Sequence, residues 1–205
     1  MHMQRRGYDV ALLEPTLAAC KNGKKRGIHK VICGTLDKES VKDNSIKQIL
    51  LLDVLEHIAD DAQLLRIIYE KMAPGGRLLL TVPAFQTLWS SEDETAGHYR
   101  RYTMDKLKAL CINTGFCIDY ENYFMEFLFL PILLVRVGME KIGLLKAADK
   151  RSSSEKKAIA EKQFKERRGL TRIALDILEH AEMDRLTKNK KVRFGSSIIC
   201  VLRKE

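Results

Sequence analysis

The sequence predicts an α/β fold, a mostly parallel sheet with helices on its flanks. Three observations carry that reading. First, Ile49-Leu50-Leu51-Leu52 is an apolar run without polar alternation that stops at the carboxylate of Asp53. Such a run suits a strand buried on both faces of a parallel sheet. Second, Asp60 or Asp61 stands where a helix cap belongs, and Leu64, Leu65, Ile68 and Met72 then share one helical face. Third, Pro74-Gly75-Gly76 ends that helix, and the stretch from Arg77 to Pro83 is a second buried strand. Open α/β sheets bind ligands beyond the carboxyl ends of their strands, which puts Asp53, Glu56 and His57 at the binding edge.

The remaining elements follow from the same rules. Residues 7–14 form a strand ending at Glu14 and closed by Pro15. A short helix runs from Thr16 to about Gly23, and residues 27–34 form the next strand. The stretch 85–103 is polar and aromatic and leaves a strand at the binding edge, so it is either a lid over a small substrate or a self-contained salt-bridge and stacking cluster that holds the loop shut. Thr103 caps a helix to about Thr114 with Leu107, Leu110 and Cys111 facing inward, and Gly115 ends it. Residues 116–124 make a strand. Leu170, Ile173, Ala174, Ile177, Leu178 and Ala181 share a helical face, and residues 195–203 are a terminal strand. The whole is expected as one domain over 1–205, with a core at 7–125, a helical basic insertion at 126–190 and the last strand at 194–204.

Composition is that of an ordinary folded chain, 45% hydrophobic and 31% charged, with no apolar run near 18 residues and no leader pattern. A cytoplasmic location, with peripheral membrane contact as an addition, is the expectation. The five cysteines form no CxxC pair and read as small buried hydrophobes, so no metal site is expected. The net charge is +9, and Lys146–Arg172 holds ten Lys/Arg against four Asp/Glu. That stretch is either a solvated helical face or a contact for an anionic partner, with nucleic acid the less favoured. Residues 124–135 are the most apolar part of the chain, but Glu126 and Pro131 interrupt them and they are too short to span a bilayer. A buried helix, the wall of a lipid-substrate pocket and an interfacial anchor all remain open.

The ordered set Leu52-Asp53-Val54-Leu55-Glu56-His57-Ile58 and Met72-Ala73-Pro74-Gly75-Gly76-Arg77-Leu78-Leu79-Leu80-Thr81-Val82-Pro83 resembles the second half of a class I S-adenosylmethionine-dependent methyltransferase domain. The resemblance covers roughly residues 7–125 and resumes in the last ten. The stretch Leu88-Trp89-Ser90, Asp93-Glu94, Gly97-His98-Tyr99-Arg100-Arg101-Tyr102-Thr103 is similar to the signature of one methyltransferase subgroup. The resemblance implies a Rossmann-like sheet with an antiparallel last strand that closes the sheet edge. It also implies S-adenosyl-L-methionine as cofactor, a small-molecule acceptor and no metal. Glu14 would then accept hydrogen bonds from both ribose hydroxyls, as one carboxylate can. Gly34, Thr35 and Leu36 would flank the adenine, where the family's usual Asp is displaced to Asp37. Asp53, Val54 and His57 would line the methionine side. Trp89, Asp93, His98, Tyr99, Arg100 and Arg101 would face the acceptor, with His98 a candidate general base.

One departure stands out. The family's first strand and its glycine-rich loop have no counterpart before Gly7, so the strands ending at Glu14 and Asp53 are expected to show apolar edges unless they pair with each other or an upstream segment is supplied. The competing function is a non-catalytic module on this scaffold, contacting an anionic partner or membrane surface through residues 124–172.

Overall fold

The computed structural model describes residues 2–37, 41–141, 170–188 and 190–205. The sheet falls into two pieces. In the smaller, β1 (Ala11–Glu14) pairs in parallel with β2 (Lys30–Cys33). They are joined by α2 (Leu17–Lys25), which Thr16 caps by accepting from the Ala19 amide at 3.3 Å. A one-turn helix, α1 (His2–Arg5), precedes them. The larger piece has four strands in the order β3-β4-β6-β5, namely β3 (Ile46–Leu52), β4 (Met72–Pro83), β5 (Cys117–Phe124) and β6 (Ser197–Arg203). β3 is parallel to β4, and β6 runs antiparallel to both of its neighbours.

The helix α3 (Asp61–Lys71) joins β3 to β4 and is capped by Asp60, whose carboxylate accepts from the Gln63 amide at 2.9 Å. α5 (Met104–Asn113) joins the loop after β4 to β5. Leu65, Ile68 and Met72 from the α3 side, Leu107 and Cys111 from α5, and Leu78, Leu80, Val82, Ile198, Cys200 and Leu202 from the sheet make one core. Burying each such side chain contributes about 1.5–3 kcal/mol. Two further helices, α6 (Glu126–Lys141) and α7 (Leu170–Thr187), follow β5. No helix of the described residues is long and apolar enough to cross a membrane.

Several expectations need correction. The run 49–52 is not buried on both faces: among the described residues β3 is an edge strand, and Leu50 is 47% and Leu52 49% exposed. Leu13 of β1 and Ile32 of β2 in the smaller piece are exposed too. The last strand does not close the edge; it lies inside the sheet, hydrogen-bonded on both sides, and β5 takes the edge. Thr103 stands at the N-cap of α5 but makes no side-chain cap bond. Met72 already begins β4, so Pro74-Gly75-Gly76 lies within the strand at an irregular register. Of the cysteines, Cys20, Cys111 and Cys200 are buried, whereas Cys33 is exposed.

The apolar stretch 124–135 is helical from Glu126 yet not buried all round, since Leu130 and Leu134 face outward. Leu178 and Ala181, which share a helical face of α7, are exposed. α7 is tied instead by polar links: the Glu126 amide donates to Glu182 Oε1 at 2.9 Å and Arg185 pairs with Glu126 at 2.8 Å. Most of the basic stretch 146–172 lies outside the described residues.

Candidate functional site

The site forms where β3 and β4 end. Asp53 closes β3 in the left-handed region, at φ 51°, a conformation that costs a non-glycine residue energy and persists only when its surroundings enforce it. Thr81 of β4 enforces it. The Asp53 amide donates to the Thr81 carbonyl at 3.1 Å, and the Thr81 hydroxyl donates to Asp53 Oδ1 at 3.1 Å. The chain then folds into a single 3-10 turn, Leu55–His57. Leu55 anchors the turn in the core, Glu56 is 1% exposed, and Val54 and His57 face outward.

Beyond β4 the chain makes a loop with its two ends clipped together. Ala84 bridges Tyr102, the Phe85 amide donates to the Tyr102 carbonyl at 2.8 Å, and the Tyr102 amide to Pro83 at 2.9 Å. Inside the loop a short helix, α4 (Ser91–Ala96), carries a reciprocal cap in which Ser90 and Asp93 bond each other's backbone amides, and Gly97 ends it at φ 78°. The turn after Gly97 brings His98 back over Glu56, and the Tyr99 amide donates to the Glu56 carbonyl at 2.8 Å.

Asp93 is the hub of this loop. Its two oxygens accept from Arg101 Nε and Nη2 at 2.8 and 3.1 Å, and Oδ1 pairs with His98 Nδ1 at 2.8 Å. Burial alone would raise its carboxyl, but the Arg101 and His98 hydrogen bonds outweigh that and hold it below the usual range. Arg100 is equally engaged, with Asp61 at 2.6 Å and the Ala59 carbonyl at 2.7 Å. Tyr102, also buried, donates to Asp61 at 2.8 Å. Two of the residues expected to face an acceptor, Arg100 and Arg101, therefore spend their donors inside the protein. Tyr99 is 60% exposed, and Trp89 is half-buried with its Nε1 toward Glu94 at 3.4 Å.

His98 Nε2 lies 4.0 Å from Glu56 Oε1, and the His57 ring meets the His98 ring edge-on at 4.6 Å between centroids. Glu56 Oε2 is buried without a hydrogen-bond partner among the described residues. Burial pushes the Glu56 carboxyl up to about 7, and the neighbouring Asp53 carboxylate adds to the effect. A carboxyl poised there can hold or release a proton at neutral pH. The sequence places Glu56 at the strand end but gives it no role. The signal that singles it out is its burial, which the sequence pattern does not show.

The expected adenosine-side residues sit at the ends of the smaller sheet. Glu14 pairs with Cys33 in register, and the Gly34 amide donates to the Glu14 carbonyl at 2.9 Å, so Glu14 and the Gly34-Thr35-Leu36 turn are side by side. The Glu14 carboxylate carries no hydrogen bond among the described residues. Leu36 packs on the main core, which ties this turn to the larger sheet. An open depression of about 550 Å³ between α5 and β5, lined by Lys108, Phe116 and Glu121 among others, contains none of the site residues.

A family profile described as a methyltransferase domain matches residues 1–121. No curated protein matches the chain. Among solved structures, an S-adenosylmethionine-dependent methyltransferase from Archaeoglobus fulgidus superposes at TM-score 0.57 and 13% identity, covering 98% of this chain and 78% of that one. Phosphoethanolamine N-methyltransferase 2 of Haemonchus contortus, solved with S-adenosyl-L-methionine, gives 0.53 at 19% identity, over 96% of this chain and 43% of that one. A putative sarcosine dimethylglycine methyltransferase from Galdieria sulphuraria gives 0.53 at 16% identity, over 94% and 68%. These identities speak to the fold, which is that of class I S-adenosylmethionine-dependent methyltransferases. With the profile spanning more than half of its residues, the chain belongs to the methyltransferase-domain family. It spans only 43–60% of the length of several structural relatives.

Proposed function

We propose that the chain transfers a methyl group from S-adenosyl-L-methionine to a small-molecule acceptor seated between the Leu55–His57 turn and the clipped loop. The observation that carries this reading is the convergence of Glu56, His57 and His98 at the carboxyl ends of β3 and β4, with His98 held by Asp93. The Glu14 carboxylate, without a hydrogen bond among the described residues, would take the ribose hydroxyls, with Gly34, Thr35 and Leu36 beside the adenine. Asp53 and Val54 would border the methionine end. The acceptor's nitrogen or oxygen attacks the methyl carbon in line. As that bond forms, the bond from sulfur to methyl breaks, S-adenosylhomocysteine leaves as a neutral thioether, and the acceptor's proton passes to the Glu56–His98 pair. Alignment supplies most of the acceleration in such a displacement.

The small acceptors named for the Haemonchus and Galdieria proteins support a small polar acceptor. An apolar portion of it would meet the aromatic file beside the loop, in which Phe85 stacks on Tyr123 at 5.0 Å and meets Phe129 at 5.5 Å.

Calorimetric titration of the full chain with S-adenosylhomocysteine tests the cofactor half of the reading. We expect binding that Glu14→Ala weakens about tenfold or more, the loss of charge-assisted hydrogen bonds worth about 1.5–3 kcal/mol. A folded chain that does not bind, or a Glu14→Ala chain that binds as well, overturns it.

A further inference from the structure

We propose that Glu56, His57 and His98 form a site for one divalent first-row transition ion of the zinc class. One ligand atom from each residue can be chosen so that all three lie within 4.8 Å of one another. The ligand atoms of a zinc site, each about 2.0–2.2 Å from the ion, stand roughly 3.4 Å apart, so closure asks for a shift of about an ångström. His57 is exposed and supplies that freedom.

Three independent features point to a cation rather than to a chance cluster. The first is charge. Arg101 is paired with Asp93 and Arg100 with Asp61, so neither neighbouring guanidinium hydrogen-bonds the Glu56 carboxylate, and Arg101 acts on it only through space. The second is the orphaned oxygen. Glu56 Oε2 is buried and unpartnered among the described residues, an arrangement that costs free energy unless something fills it. The third is the support behind His98. Histidine ligands commonly give their second ring nitrogen to a carboxylate, which fixes the tautomer and the ring plane. Asp93 does this at Nδ1, locked in turn by Arg101, and leaves Nε2 directed to Glu56.

Two imidazole nitrogens and one carboxylate select zinc-class ions over magnesium or calcium, which prefer oxygen ligands. Three protein ligands leave a position open on the exposed His57 side, as in catalytic rather than structural sites. This deepens the proposed function and rests on it in one respect: the open position would take an oxygen of the acceptor, whose proton would be lost to water as that oxygen binds, and Glu56 and His98 would then act as ligands and not as the proton acceptor.

The test is titration of the chelator-treated full chain with Co(II), read by its visible absorption, followed by displacement with Zn(II) and a parallel titration with Mg(II). We expect one equivalent of Co(II), displaced by Zn(II) and indifferent to Mg(II). Glu56→Gln and His57→Ala should each weaken uptake at least tenfold, and His29→Ala, at an exposed position just before β2, should not. Circular dichroism confirms that each variant is folded. No stoichiometric uptake by the folded wild-type chain overturns the proposal, as does uptake that survives both Glu56→Gln and His57→Ala. S-adenosylhomocysteine binding, measured on the same samples, separates the two ideas. A chain that binds the nucleoside but no ion keeps the methyl-transfer reading and loses the metal, and the reverse result does the opposite.

Discussion

Two carboxylates are buried within one small loop assembly, and they meet opposite fates. Asp93 gains two guanidinium hydrogen bonds and an imidazole, and stays ionised against the pull of burial. Glu56 lacks such donors and is raised from its ordinary 4.5 to about 7. The sign of the resulting pH dependence follows. Between 4.5 and 7 the folded chain keeps a proton that the unfolded chain has released, so this group makes the protein less stable as pH rises through that window. The loss is complete above about pH 7 and amounts to about 3 kcal/mol in metal-free protein. Glu56→Gln, neutral at every pH, removes that slope, so urea denaturation at pH 5 and pH 8 should show the variant gaining on wild type only at the higher pH. Asp93→Asn removes the partner of a buried guanidinium and should cost about 3–5 kcal/mol, read from the same denaturation curves. Asp53 and His57 are legible in the sequence because a strand end announces them. The Glu56–His98–Asp93 convergence is not, since it depends on a loop returning from some forty residues away, and no periodicity records where a loop comes back.

Helices and strands fare better, because periodicity and caps are local. The Asp60 cap of α3, the strand at 77–83 and the strand at 116–124 stand about where their residues imply. What local pattern does not carry is the environment of a face. Leu178 follows a helical stripe and still faces water, and Leu50 belongs to an unbroken apolar run and is half exposed. Close approach is another non-local property. Gly195, just before β6, lies so near the backbone of Phe124 that a Cβ would meet the Phe124 carbonyl oxygen at 2.2 Å. Main chain cannot yield as a flexible side chain does, so Gly195→Ala must push β6 away from β5. We expect a loss of about 2–3 kcal/mol, within the range for overpacking, measured as a lowered Tm.

At the scale of the molecule, the strand order β3-β4-β6-β5 and the separate β1–β2 pair are not written in composition or in pattern, because neighbours in a sheet need not be neighbours in the chain. The resemblance to methyltransferases anticipates the antiparallel last strand, and among the described residues β3 stands at the edge of its sheet with Leu50 and Leu52 exposed. An unpaired apolar edge invites pairing with another chain. Replacing Leu50 and Leu52 together with Lys should therefore reduce concentration-dependent light scattering of the purified chain, and an unchanged signal would mean that the edge is not the adhesive surface. The position of β6 has a further bearing on how the molecule comes into being. β4 and β5 share no ladder of their own; each is completed only by residues 197–203, which the ribosome releases after every other described element. Until then β4 is paired with β3 on one side only and β5 waits without a strand beside it, with leucine, isoleucine and aromatic side chains uncovered. That interval, more than the stability of the finished sheet, is when such a chain depends on chaperones for its yield.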